Sequence, residues 1–76
     1  MTYSLIIEND KVDPSYVLDI KTWEEVVNHL KFNLPSWAIS VTIYKYSSNY
    51  RTLASRFVTM STMWKVINSP TDKILY

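Results

Sequence analysis

The chain contains no cysteine and no glycine, and only one histidine among its 76 residues. Without cysteine there is no disulfide to reinforce a small fold, and one histidine falls short of the ligand set of a structural zinc site. Without glycine there are no phosphate-cradling loops of the P-loop or dinucleotide-binding type, because both need glycine for the backbone to approach phosphate. Turns must also be made without the residue that most easily takes positive φ. The candidates to replace it are Asn9-Asp10, Asn33, Ser47-Ser48-Asn49 and Asn68, since Asn and Asp tolerate the left-handed region best. Long apolar runs are missing as well. Leu5-Ile6-Ile7 is too short for a signal-peptide core or a membrane span, so no membrane partner is expected and cytoplasm is the expected location.

What the chain does have is apolar bulk. Hydrophobic residues make up 47% of it, with three Trp, six Tyr and two Phe. A single domain of this length is near the lower limit for unaided folding. Each buried aromatic removes on the order of 150–250 Å² from water, so a few can replace a larger aliphatic core. Homodimerisation is a second route to stability that composition leaves open.

The net charge is only +1, but it is unevenly placed. Residues 1–38 carry three lysines against six carboxylates, while residues 39–76 carry five cations against Asp72 alone. Such a chain can fold into a domain with an acidic and a basic face.

Local patterns point to an α+β domain spanning residues 1–76. Residues 3–8 and 15–20 alternate in the manner of strands around the polar stretch 9–14, which suggests a hairpin. In the second strand Tyr16, Leu18 and Ile20 share one side, and Ser15, Val17 and Asp19 the other. Thr22 and Glu25 have the spacing of a capping box. Trp23, Val26, Val27 and Leu30 then form one apolar stripe, so a helix is expected to run to Asn33, ahead of Pro35. Residues 37–46 form the clearest strand, with Ile39, Val41 and Ile43 alternating against Ser40, Thr42 and Tyr44. Over residues 50–68, Leu53, Phe57, Met60, Trp64 and Ile67 recur at spacings of 4, 3, 4 and 3. That favours one helix over a strand near Phe57 to Met60. Residues 73–76 are a candidate short edge strand. The expected architecture is a three- or four-stranded, mainly antiparallel sheet with two helices on one face, in the order β-β-α-β-α.

Catalytic chemistry finds little footing. His29 has Glu25 one turn away, but an i, i+4 surface pair explains that spacing without a nucleophile or second base nearby. Glu8, Asp10 and Asp13 cluster in the first loop, yet a calcium loop needs more oxygen ligands and a glycine at its sharp turn. No catalytic residue, cofactor site or metal site is expected, and the chain reads as a non-enzymatic binding protein.

Its expected contact surface is the sheet face opposite the core, where Ser40, Thr42, Tyr44 and Tyr46 fall on one strand and Ser4, Ile6, Ser15 and Val17 join from the hairpin. The stretch Tyr44-Lys45-Tyr46-Ser47-Ser48-Asn49-Tyr50-Arg51 interleaves aromatics with cations, and Arg56 follows closely. Such a surface suits protein contact, where tyrosine is an enriched anchor, and also suits stacking of unpaired bases. Trp37 is a candidate interface residue or a cap on the end of the core. The expected partner-binding set is therefore Trp37, Tyr44, Lys45, Tyr46, Tyr50, Arg51 and Arg56.

In size, compact αβ pattern, lack of cysteine and bias toward Ile, Tyr, Asn, Lys and Ser, the chain resembles small accessory proteins of bacteriophages and mobile elements, including host-takeover inhibitors and anti-CRISPR proteins. That resemblance implies a stoichiometric binder that occludes a site on a larger host protein or ribonucleoprotein, and it transfers no functional residue. The near-neutral charge departs from the acidic DNA-mimicking members. A protein partner is the first expectation, and single-stranded nucleic acid bound through the basic second half is the alternative.

Overall fold

A computed structural model describes residues 2–46 and 54–72, with the side chains of residues 54–56 outside that description. The elements are β1 (Thr2–Asn9), β2 (Val12–Ile20), α1 (Trp23–Phe32), β3 (Ser40–Tyr46), β4 (Ala54–Thr59) and α2 (Met63–Ile67). The strands form one antiparallel sheet in the order β2-β1-β3-β4. Both helices contribute to the single core on one face of it. The α+β class, the four strands and the two one-sided helices agree with the sequence pattern.

Period-two alternation sets the core face. Tyr3, Leu5 and Ile7 of β1 point inward with Val41 and Ile43 of β3 and Val58 of β4. Val26 and Leu30 of α1 and Met63 and Val66 of α2 close over them. Leu5, Val26, Val41 and Ile43 are fully buried, each worth about 1.5–3 kcal/mol relative to exposure. 

Helix α1 starts as its capping residues require: the Glu25 amide donates to Thr22 Oγ1 at 3.2 Å, satisfying one of the otherwise unpaired first-turn donors. Asn33 closes it, its amide donating to the His29 carbonyl. The first hairpin turns on an Asx contact, Lys11 N to Asn9 Oδ1 at 3.0 Å.

Three expectations are corrected. Residues 54–67 are not one helix: β4 pairs with β3 from Ser40↔Thr59 to Lys45↔Ala54, and a turn over residues 60–62 leads into the five-residue α2. The apolar stripe misled because Phe57, Met60 and Trp64 are exposed, whereas Val58, Met63 and Val66 are the buried residues. Leu53 and the candidate edge strand 73–76 lie outside the described residues.

Second, β3 begins at Ser40, not Trp37. Residues 35–39 instead form a connector fixed by Ala38 N to Pro35 O at 3.1 Å and Ile39 N to Glu8 O at 2.9 Å.

Third, β2 shows the face opposite to the one its alternation suggested. Leu5↔Val17 and Ile7↔Ser15 place Val17 and Ser15 on the core side and leave Tyr16 and Leu18 outside. A register shift between Tyr3↔Ile20 and Leu5↔Val17 then inserts one extra residue, which returns Ile20 to the core. Asp19 lies in this bulge with φ 58°, the only positive φ among the described residues. The missing glycine is thus replaced at one aspartate, while Asn33 and Asn68 keep negative φ.

Candidate functional site: the open face of the sheet

The face away from the helices is built by the alternate residues of each strand. Pairing across the sheet aligns Tyr16, Ile6, Thr42 and Phe57 in one row from β2 to β4. Tyr16 is 60% exposed and Phe57 61%, at the two edge strands, and Leu18 beside Tyr16 is 65% exposed. Ile6 and Thr42, on the central strands, are only partly exposed. The serines of these two strands sit lower still, Ser4 at 8% and Ser40 at 7%. The central strands also bring Tyr44 and Tyr46 to this face, and the most exposed apolar side chains stand at its two margins.

Charges on this face are sparse. Glu8 belongs to it and stands opposite Ser40, with Thr42 Oγ1 donating to its Oε1 at a long 3.5 Å. Asp10, Asp13 and Asp19 are exposed along the hairpin that forms the β2 margin. The β1–β2 hairpin, residues 2–20, thus carries four carboxylates against Lys11 alone.

The sequence-derived candidates separate in space. Tyr44 and Tyr46 do lie on the open face, half-buried, opposite Ser4 and Thr2. Lys45 alternates to the helix side, where its ammonium is ion-paired with Asp72. The Asp72 carboxylate also accepts from Tyr3 Oη at 2.8 Å. Burial raises the Asp72 pKa, but the hydrogen bonds from Lys45 and Tyr3 and the lysine charge outweigh that, so its pKa lies below the ordinary 3.8. Trp37 packs against the core, and its carbonyl accepts from Asn9 Nδ2. Arg56 occupies the register position opposite Ile43, with its side chain outside the description. Tyr50, Arg51 and the turn 47–49 lie outside the described residues.

Tyr16, Leu18 and Phe57 are the residues that sequence reasoning missed as contact residues. The alternation alone points Tyr16 and Leu18 inward, because the bulge at Asp19 is silent in it. Phe57 falls on the apolar stripe whose spacing is helical. Other exposed apolar side chains do not form a comparable row. Phe32 ends α1, Ile39 and Met60 meet where the Met60 amide donates to the Ile39 carbonyl, and Trp64 has the Lys65 ammonium 5.8 Å from its ring.

Among the described residues there is no group of three His, Asp or Glu side chains able to hold a metal ion. Glu25 and His29 form no ion pair or hydrogen bond in the structure, so the sequence pairing gains no geometric support. No helix among the described residues is long and apolar enough to cross a membrane. No protein-family model, curated protein or solved structure matches the chain.

Proposed function

We propose that the chain is a non-catalytic binding protein that docks the open face of its sheet onto a larger protein and so occludes or regulates it. The observation that carries this reading is the cross-strand row of Tyr16, Ile6, Thr42 and Phe57, whose edge aromatics stand about three-fifths exposed while the helices cover the other face. Buried aromatics are the side chains that contribute most to protein interfaces, and ones ordered on a sheet lose little further entropy on docking. A stoichiometric inhibitor encoded by a phage or mobile element fits this reading.

Single-stranded nucleic acid is the weaker reading. Such sites combine stacking aromatics with a cationic groove along the backbone. Here the lysine between Tyr44 and Tyr46 is committed to Asp72 on the opposite side, and the hairpin margin of the face is acidic.

Two measurements test the proposal together. In fluorescence anisotropy with labelled single- and double-stranded oligonucleotides, no binding is expected at either about 50 or about 200 mM salt. In affinity capture from an extract of the source cells, a protein retained by the wild-type chain is expected to be lost by a folded Tyr16→Ser/Phe57→Ser variant. Tight, salt-sensitive oligonucleotide binding, or capture untouched by the double substitution, would overturn it.

A further inference from the structure

The two edges of the sheet are built differently, and the difference points to a second copy of the chain. We propose that β4 pairs antiparallel with β4 of another copy across a two-fold axis at Phe57, joining two four-stranded sheets into one. The contact uses a strand edge and not the open face, so it stands or falls separately from the docking reading above.

Edge strands present unpaired N–H and C=O groups, and folded proteins blunt them with proline, bulges or charge. β2 carries all three devices. Pro14 lacks an N–H, register shifts interrupt the pairing with β1 near both ends, and Asp13 and Asp19 are exposed along the strand. β4 has neither proline nor bulge. It pairs with β3 without a shift, from Ser40↔Thr59 to Lys45↔Ala54, and its only charge is Arg56. Among the described residues, no strand lies on its outer side.

The phase of the ladder determines which groups that outer edge offers. The Met60 amide donates to the Ile39 carbonyl, one step beyond Ser40↔Thr59 in the same register. Bonded and non-bonded pairs alternate in an antiparallel ladder, so Val58 and Arg56 exchange their bonds with Val41 and Ile43. The N–H and C=O groups of Ser55, Phe57 and Thr59 therefore point away from β3. Consistent with this, the Thr59 carbonyl is outside the ladder and accepts from the Thr62 amide and hydroxyl in the turn that follows.

Self-pairing must centre on one residue, because a two-fold axis through the sheet keeps its two faces apart. Arg56 at the centre would set like charges opposite each other, a destabilising arrangement. Val58 at the centre would pair Phe57 with Thr59, whose carbonyl is already held by Thr62. Phe57 at the centre avoids the first conflict and moves the second to the periphery. The two Phe57 residues exchange N–H···O=C bonds, each Thr59 N–H meets the Ser55 carbonyl of the other copy, and Arg56 falls opposite Val58. The Phe57 side chains, 61% exposed, become a cross-strand aromatic pair of the kind that stabilises sheets. Such a contact is smaller than a standard protein interface, so association in the micromolar range or weaker is expected.

The test combines sedimentation equilibrium with amide exchange by NMR, from about 20 μM to about 1 mM chain. The wild type is expected to pass from monomer to dimer across this range. Its Phe57 amide should exchange rapidly at the low end and at least about tenfold more slowly at the high end, while Val58 stays protected throughout. A synthetic chain N-methylated at Phe57 keeps every side chain and every β3 bond, and should raise the dimer dissociation constant at least about thirtyfold. Tyr16→Ser, on the opposite edge strand, should leave the constant unchanged. A monomer across the whole range, a Phe57 amide equally protected at both ends of it, or a dimer indifferent to the N-methyl group overturns the proposal. A dimer lost in Tyr16→Ser places the contact on the open face and overturns it as well.

Discussion

Tyr3 donates a hydrogen bond of 2.8 Å to the carboxylate of Asp72, 69 positions along the chain. The same carboxylate is ion-paired with Lys45, and Tyr3 also lies 5.8 Å, centroid to centroid, from Trp23, whose indole Nε1 donates to the Ser69 carbonyl at 3.0 Å. These contacts pin residues 69–72 against β1, β3 and α1. They also use inside the fold the lysine that the sequence pattern offers to a ligand.

The Asp72 contacts make a pH prediction. A carboxylate held below its ordinary pKa stabilises the fold above about pH 4, and that stability is lost as pH falls through the folded-state pKa. Asp72→Asn is expected to destabilise the domain by about 1–2 kcal/mol near neutrality, in the range of a charge-assisted hydrogen bond. It should also flatten the loss of stability as pH falls below about 4. Urea unfolding across that window checks both, and an unchanged acid limb in the variant would remove Asp72 from the explanation.

Trp23→Phe keeps a ring against Tyr3 but removes the donor to Ser69. A cost of about 1 kcal/mol is expected from the lost hydrogen bond. Amide exchange should quicken for Asn68 and Ser69, which close α2 through the Trp64 and Val66 carbonyls. Thr22→Ala should cost a similar ~1 kcal/mol by uncapping α1.

Asp19 decides which face β2 presents. Its φ of 58° is tolerable for aspartate and costly for a β-branched residue. Asp19→Val is expected to lose about 1–2 kcal/mol by denaturant unfolding, and Asp19→Gly or Asp19→Asn to stay near wild type. Deleting Asp19 removes the bulge, so Ile20 or the Tyr16–Leu18 pair must change face. Photo-CIDNP of the tyrosines reads this directly, with a strong Tyr16 signal and none from Tyr3 expected in the wild type.

Legibility in the sequence followed the range of the interactions. The Thr22–Glu25 spacing and the Val26–Leu30 stripe are local, and α1 appears where they place it. The β3 alternation held for Val41 and Ile43, which enter the core while Thr42 and Tyr44 do not, but not for Ile39, which precedes the strand and is exposed. The faces of β2 were not legible, because a single inserted residue at Asp19 reverses a period-two reading and leaves no mark in composition. Residues 54–67 failed for a related reason. The spacing of Phe57, Met60 and Trp64 is helical, but pairing with β3 from Ser40 to Lys45, a long-range contact, determined the outcome. The candidate site inherited both errors, so Tyr44 and Tyr46 were found on the open face while Tyr16, Leu18 and Phe57 were not.

The two faces should respond differently to truncation. Leu5→Ala or Val41→Ala removes fully buried volume, with Leu→Ala expected to cost about 2–5 kcal/mol, a large part of a small domain's stability. Tyr16→Ser and Phe57→Ser, on the open face, should each stay within about 0.5 kcal/mol. Thermal unfolding separates these outcomes, and a strongly destabilised Phe57→Ser would mean that the row supports the fold instead of presenting a surface.

The decisive measurement is site-specific photo-cross-linking in an extract of the source cells, with benzoylphenylalanine at position 57 on the open face and, separately, at position 32 on the exposed end of α1. A discrete adduct from position 57 alone, resistant to nuclease and digested by protease, is the expected result. An adduct from position 32 and none from position 57, or one that nuclease removes, would contradict the assignment of the open sheet face as a protein-docking surface.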